Sequence, residues 1–347
     1  MITDGHTPDK GSILTMSFNH ILHKIISPLS FLSSWRSLPW YELVSYQLMF
    51  ASVPMLAYGI QAYTLEMVEI ILLTILTLNT GFFSALIWND ITDADIDAIV
   101  HPDRPLPSGK IQKNTFFAIA VFFAILMCIF AVLISIPCLL LVSITALFVS
   151  IHNKILRRKI NIPAYSEIVT PLQWVIVVIF GYCAVWTTTS AVQEIYTVIL
   201  PYGHSNSSFT MLFGMIFLCL FTYFADSAHD IVEGIHDYLG DKTYGVKTYA
   251  TSFGAKKAGI ISIVMLFLSA VFAFGAFFLT SLSYIFLIGF IAIFLYTTLF
   301  SIRFYRSHDL IKKNKGLLLG RKIYDYFLLT FVLIFLDIFI QLIFFIG

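Results

Sequence analysis

Long apolar runs separated by short polar segments recur along this chain, and each run is about as long as a bilayer crossing. A helix needs roughly 20 apolar residues to span the hydrocarbon core. Nine stretches meet that length: 41–61, 66–88, 114–135, 136–152, 167–187, 209–229, 257–280, 282–302 and 324–346. The third and fourth are nearly continuous, so they read as a tight pair turning around Ser135, Ile136 and Pro137. Residues 1–40 are patterned differently. Their apolar positions 13, 14, 18, 21, 22, 25, 26 and 29 fit a helix lying in the membrane interface. They lack the ordered basic start, apolar core and small-residue cleavage site of a secretory leader. The pattern predicts an all-α, polytopic membrane protein, with a cytoplasmic N-terminal region (1–40) and a transmembrane domain (41–347).

The basic residues test the span count independently. With nine spans, the connecting segments alternate between two sides of the membrane. All 21 Lys and Arg residues then fall in 1–40, 89–113, 153–166, 230–257 and 303–323, which share one side. Basic loops stay in the cytoplasm, so the expected topology is N-terminus inside and C-terminus outside. Trp40, Trp88 and Trp186 sit at span ends, as in an aromatic belt. With 59% hydrophobic and 12% charged residues, an ordinary soluble domain is excluded, and no nucleic-acid partner is expected. The four cysteines lie inside apolar spans without CxxC spacing and read as small core residues.

Against this apolar background, half of the 20 acidic residues gather in two clusters. The first is Asp90, Asp93, Asp95, Asp97 and Asp103, preceded by Asn89 and followed at once by Arg104-Pro105-Leu106-Pro107-Ser108-Gly109. The second is Asp226, Asp230, Glu233, Asp237 and Asp241, leading into Gly245, Lys247 and Thr248. Both follow a span and both fall on the cytoplasmic side. If the helices continue past the hydrocarbon, Asp90, Asp93 and Asp97 share a face while Asp95 points away. Asp230, Asp237 and Asp241 fall within about 40° of one another, with Asp226 and Glu233 at the edge. Carboxylates packed this closely need a cation between them. Oxygen-only ligands favour Mg²⁺, which completes its shell with water and substrate phosphate oxygens.

The strings N-D-x-x-D-x-x-x-D with R-P-L-P-S-G, and D-x-x-G-D-x-x-x-G-x-K-T from Asp237 to Thr248, resemble the two signatures of the UbiA superfamily of intramembrane prenyltransferases. The resemblance implies nine helices around a central cavity and Mg²⁺-dependent transfer of an isoprenyl group from its diphosphate to an acceptor. It also implies roles. Asp93, Asp97, Asp237 and Asp241 would be catalytic; Asp90, Asp93, Asp97, Asp230, Asp237 and Asp241 would hold the metal; Asn89, Arg104, Arg157 and Lys242 would bind the diphosphate. The second signature departs from the family at Gly234, where an Asp is common; Asp230 and Glu233 are the expected substitutes. Phe82, Phe83, Phe221, Tyr223 and Phe224 are candidates for stabilising an allylic cation. Glu167 opens the fifth span within possible reach of the cavity, and Asp337 with Gln341 is expected to pair with neighbouring helices.

The R-P-L-P-S-G context is similar to the branch containing chlorophyll synthases and digeranylgeranylglyceryl phosphate synthases. It points to a geranylgeranyl or longer donor and to a hydrophobic or amphiphilic acceptor, a lipid or a quinone precursor, within the bilayer. Terpene cyclisation and carotenoid elongation use the same ionisation and are the alternatives. A cation-coupled small-anion transporter is the reading from another class. It is disfavoured because the spans hold few ionisable residues at mid-depth.

Overall fold

The computed structural model describes residues 40–60, 63–188, 197–200, 203–307 and 315–346. The interfacial helix expected in 1–40 lies outside the described residues. The chain divides into a unit ending at Leu43, described only from Trp40, and a unit from Val44 to Gly347. The long helices are α1 (Trp40–Tyr58), α2 (Leu65–Thr92), α4 (Lys113–Ile134), α5 (Ile136–Ile151), α7 (Leu172–Thr188), α8 (Ser207–His236), α11 (Ala255–Leu279), α12 (Tyr284–Ser307) and α13 (Lys315–Ile346). Short helices α3 (Ala94–Val100), α6 (Tyr165–Val169), α9 (Tyr238–Thr243) and α10 (Tyr249–Phe253) fill the connections. Among the described residues eight helical segments are long and apolar enough to cross a membrane. The other expected span is α1, 19 residues long, whose Glu42, Gln47 and Pro54 dilute its apolar character.

The helix ends follow their sequence signals. Thr64 caps α2, its hydroxyl accepting from the Met67 N–H at 3.2 Å. The expected tight turn between α4 and α5 is one extended residue, Ser135, whose hydroxyl accepts from the Cys138 N–H. That arrangement satisfies donors a helix start leaves open. The one departure from an all-α chain among the described residues is a short hairpin between α7 and α8, pairing Thr197–Leu200 with Gly203–Asn206.

Helix α8 packs on α7, α11 and α13, which makes it the hub of the bundle. At the α8–α11 crossing Gly275 lies under Phe217, where a Cβ would come within 2.1 Å of the ring. Small residues at such crossings let helices approach without help from a hydrophobic driving force. Asp337, deep in α13, serves as a cap for its neighbour. It accepts from the Ser283 hydroxyl and from the backbone N–H groups of Ser283 (2.8 Å) and Phe286 (3.3 Å), at the start of α12. Gln341 donates to it at 2.9 Å and to the Ser281 carbonyl at 3.1 Å. The expected helix-to-helix pairing of Asp337 and Gln341 is present.

Candidate active site

The two acidic motifs are built alike. Helix α2 stops at Thr92, Asp93 bends the chain (φ −104°, ψ 10°), and α3 resumes at Ala94. Helix α8 stops at His236, Asp237 bends the chain (φ −82°, ψ 5°), and α9 resumes at Tyr238. The helical hydrogen bonds run through both bends. Asp93 and Asp97 donate to Asn89 and Asp93, at 2.9 and 2.8 Å; Asp237 and Asp241 donate to Glu233 and Asp237, at 2.8 and 3.0 Å. The expected continuous helices are therefore interrupted by one residue, but their phase survives. Asp90, Asp93 and Asp97 are all buried, whereas the Asp95 side chain is 40% exposed. On the second motif Asp241 and Asp226 are buried, and Asp230 and Asp237 are half-buried.

The motifs meet where α3 crosses α9 at Gly240. A Cβ there would lie 2.7 Å from Val100 and 3.0 Å from Ile96, so only glycine permits the approach. Arg157 spans the junction, pairing with Asp93 and lying 3.7 Å from Asp241. Its Nε donates to the Ser166 hydroxyl at 3.0 Å. Arg104 pairs with Asp97 at 2.5 Å and lies 3.8 Å from Asp90. His101 is 3.3 Å from Asp237. Burial pushes the Asp97 carboxyl up despite Arg104, and pushes Asp241 up to about 7. Asp95, held by a fork of hydrogen bonds from Arg158 at 2.6 and 2.7 Å, lies below its ordinary value.

Local chain geometry delivers these cations. The 104–109 segment folds on itself: Ser108 donates through N–H and hydroxyl to the Arg104 carbonyl (2.9 and 2.7 Å), and Gly109 closes the turn at φ +71°. The guanidinium of Arg104 is thereby turned toward Asp97. Ahead of Arg157 the helix widens into a π-turn, His152–Leu156. Such turns recur at functional sites because the extra residue re-aims the side chains beyond it. The Lys247-Thr248 end of the second motif is structural: Thr248 caps α10 in a capping box with Thr251, and the Lys247 carbonyl accepts from the Ser166 N–H at 3.1 Å.

Of the residues singled out from sequence, Asp90, Asp93, Asp97, Asp237, Asp241, Arg104 and Arg157 come together, with Asn89 one turn before Asp93. Lys242 does not. It is exposed, its amine on the Tyr238 hydroxyl at 3.2 Å. Glu233 points toward His229 (3.3 Å), which also faces Asp226 (3.7 Å) and Asp230 (3.5 Å). His229 was invisible as a site residue, although its i−3 and i+4 spacing from Asp226 and Glu233 was readable.

The aromatics sort differently from expectation. Phe221 is fully buried against Phe290, Phe327 and Phe331, and Phe224 stacks on Phe272, so both are packing residues. Phe83 leans on Phe123, and the Tyr223 hydroxyl donates to the Ile168 carbonyl. Phe82 belongs to a box with Tyr46, Trp174, Tyr324 and Phe327. The box adjoins the acidic cluster through His229, whose ring lies 4.5 Å from that of Tyr324.

Asp93 Oδ1, Asp97 Oδ2, Asp230 Oδ2 and Asp241 Oδ1 are buried and lack a hydrogen-bond partner. Hard carboxylate oxygens left without hydrogen bonds on both motifs are the donor type that a divalent cation of the Mg²⁺ kind takes. The UbiA prenyltransferase family profile matches residues 48–335. The chain belongs to the UbiA prenyltransferase family. It is 30% identical over 232 residues to the digeranylgeranylglyceryl phosphate synthase of Saccharolobus solfataricus, covering 67% of this chain and 73% of that protein. It is 27% identical over 203 residues to the Sulfurisphaera tokodaii enzyme of the same name, covering 58% of this chain and 64% of that one. The fold matches a UbiA homologue from Aeropyrum pernix K1 with a TM-score of 0.57 at 16% identity, over 87% of this chain and 99% of that one. A UbiA homologue from Archaeoglobus fulgidus bound to DMAPP and Mg²⁺ matches with a TM-score of 0.52 at 15% identity, over 87% and 96%. This UbiA member is thus a membrane-embedded prenyltransferase with the expected helical fold.

Proposed function

We propose that the protein transfers a geranylgeranyl or longer isoprenyl group from its diphosphate to a lipid acceptor within the membrane. One observation carries the reading: two acidic motifs from separate helices converge on Arg157, which pairs with Asp93 and lies 3.7 Å from Asp241. In this reading Asp90, Asp93 and Asp97 hold Mg²⁺ and diphosphate from one side, and Asp230, Asp237 and Asp241 from the other, flanked by Asn89. Bound there, Mg²⁺ supplies Lewis acidity that stabilises the departing diphosphate. Arg157 and Arg104 exchange carboxylate oxygens for diphosphate oxygens, a geometry that planar guanidinium groups suit. The carbon–oxygen electron pair leaves with the diphosphate and positive charge stays on the allylic carbon. The π faces of Tyr46, Phe82, Trp174, Tyr324 and Phe327 would stabilise that charge and exclude the water that would quench it.

The relatives named for digeranylgeranylglyceryl phosphate support a geranylgeranyl donor and a glycerophosphate-type lipid acceptor over a quinone precursor. Transport fits less well, because the mid-span carboxylate of Asp337 is engaged in capping α12. The test is purified protein with geranylgeranyl diphosphate, Mg²⁺ and a membrane lipid extract, with products identified by mass spectrometry. A prenylated lipid supports the reading. A hydrocarbon formed without acceptor would move it to cyclisation or carotenoid-type elongation, and a product formed only with an aromatic carboxylic acid to the quinone branch.

A further inference from the structure

Three side chains near the end of α8 face one another at distances too long for good hydrogen bonds. Asp226, His229 and Asp230 each offer a ligand atom, and these atoms all lie within 4.8 Å of one another. His229 Nδ1 is 3.7 Å from Asp226 Oδ1 and 3.5 Å from Asp230 Oδ1. Asp226 is 1% exposed; neither of its oxygens has a hydrogen-bond partner, and nor does His229 Nδ1. The far side of the ring is committed. Its Nε2 lies 3.3 Å from Glu233 Oε1, and the ring sits 4.5 Å from that of Tyr324. Helix α13 passes over the group at Gly320, where a Cβ would lie 3.8 Å from His229 Cδ2 and 3.4 Å from Glu233 Cγ. A carboxylate beside Nε2 keeps the ring proton there and leaves the Nδ1 lone pair facing two carboxylates. That arrangement is repulsive unless a cation stands among them. A second proton, on Nδ1, would draw a carboxylate oxygen in to about 2.7–2.9 Å. The observed spacings instead come close to the edge of a tetrahedral metal shell, about 3.3–3.6 Å for bonds of about 2.0–2.2 Å.

We propose that Asp226, His229 and Asp230 bind a divalent transition metal of the zinc class, with Glu233 as the carboxylate that orients the imidazole. One imidazole nitrogen with two carboxylate oxygens is a mixed set that such ions take, whereas all-oxygen sets suit Mg²⁺. A ligating histidine whose second nitrogen is held by a carboxylate is the usual supporting arrangement. Three protein ligands leave the last position of the tetrahedron to water. The ion is distinct from one held at the bends. At 1.5 Å per residue, His229 stands about 12 Å along α8 from Asp237. Asp230 can serve both places, since its Oδ1 faces His229 and its Oδ2 is the oxygen left for Mg²⁺. The geometry of α8 carries the proposal, which does not depend on the Mg²⁺-diphosphate reading.

The test is a Zn²⁺ titration, in excess Mg²⁺, of the purified full chain freed of its affinity tag and stripped of metal by chelation. Wild type should bind Zn²⁺ and melt at a higher temperature when loaded. Zinc-edge X-ray absorption of that sample should show a single imidazole among oxygen ligands. His229→Gln and Asp226→Asn should each weaken Zn²⁺ binding about tenfold or more, and Glu233→Gln about tenfold. Asp93→Asn should leave Zn²⁺ affinity unchanged, because Asp93 belongs to the bends. Loss of Zn²⁺ in Asp93→Asn, or an oxygen-only shell, would put the ion at the bends and overturn the proposal. A shell with two imidazoles would move it to His101 and His236, which group with Asp237, and would overturn it equally. So would a wild type that takes up no Zn²⁺ in excess Mg²⁺, or wild-type affinity in His229→Gln. The absorption spectrum is read on wild type, so the proposal can fail even where a variant does not fold.

Discussion

Asp93 and Asp95 sit two positions apart and do opposite electrostatic work. Asp93 is buried against Arg157 with one oxygen free of hydrogen bonds; Asp95 is half in solvent, held by Arg158. Asp93→Ala should lower kcat/KM by about 10²–10³-fold, the scale of losing a preorganised electrostatic contact. Asp95→Ala removes a partly exposed pair worth roughly 0.2–1 kcal/mol, so its effect should stay below about tenfold. Equal losses would refute the helical-face assignment. Asp241 adds a pH dependence. Its pKa lies at about 7 in the fold against an ordinary 3.8. Between those values the folded, metal-free protein keeps a proton the unfolded chain releases, so stability from this group falls as pH rises toward 7. Mg²⁺ needs the carboxylate, so apparent Mg²⁺ affinity should rise with pH up to about 7, by at most about tenfold per unit for one proton, then level. Mg²⁺-induced thermal shifts measured across that range check this. A flat profile in wild type, or an unchanged slope in Asp241→Asn, would remove Asp241 from the metal site.

At the scale of elements, the site depends on two short helices crossing. Helices α3 and α9 touch at Gly240 against Ile96 and Val100, and their separation sets the span that Arg157 bridges. Gly240→Val should wedge them apart. Overpacking costs about 1–3 kcal/mol, but both helices lie off the ends of the long spans, so the bundle should stay folded. The expected outcome is a tenfold or greater fall in kcat/KM, misplacement being costly to preorganised sites, with a melting temperature shifted by only a few degrees. Wild-type kinetics in this variant would show that the crossing does not position the motifs.

For the whole molecule, orientation is an expectation from charge: all 21 basic residues fall on one side of a nine-span chain. We propose a cytoplasmic N-terminus, an outside C-terminus and both acidic motifs on the cytoplasmic side. Single cysteines introduced after replacing Cys128, Cys138, Cys183 and Cys219 test it with an impermeant reagent. Position 204 should label from outside and position 314 only after permeabilisation; the reverse pattern would invert the topology.

The sequence by itself determined the spans and the acidic side chains that cluster, because both are local. A bilayer crossing is a matter of run length, and Asp90, Asp93 and Asp97 share a face through backbone periodicity that survives the bend at Asp93. A tight turn around Ser135, Ile136 and Pro137 was readable for the same reason, and the structure narrows it to Ser135 alone. Only the tertiary structure decided what meets across helices. It set Arg157 between Asp93 and Asp241, turned Lys242 out to Tyr238, and sorted Phe82 with Trp174 and Tyr46 while sending Phe221 into packing. It placed Glu167 in the space beside Gly234. Those outcomes depend on how close two helices come, which one methyl group at position 240 or 234 would change, and no spacing along the chain encodes that distance.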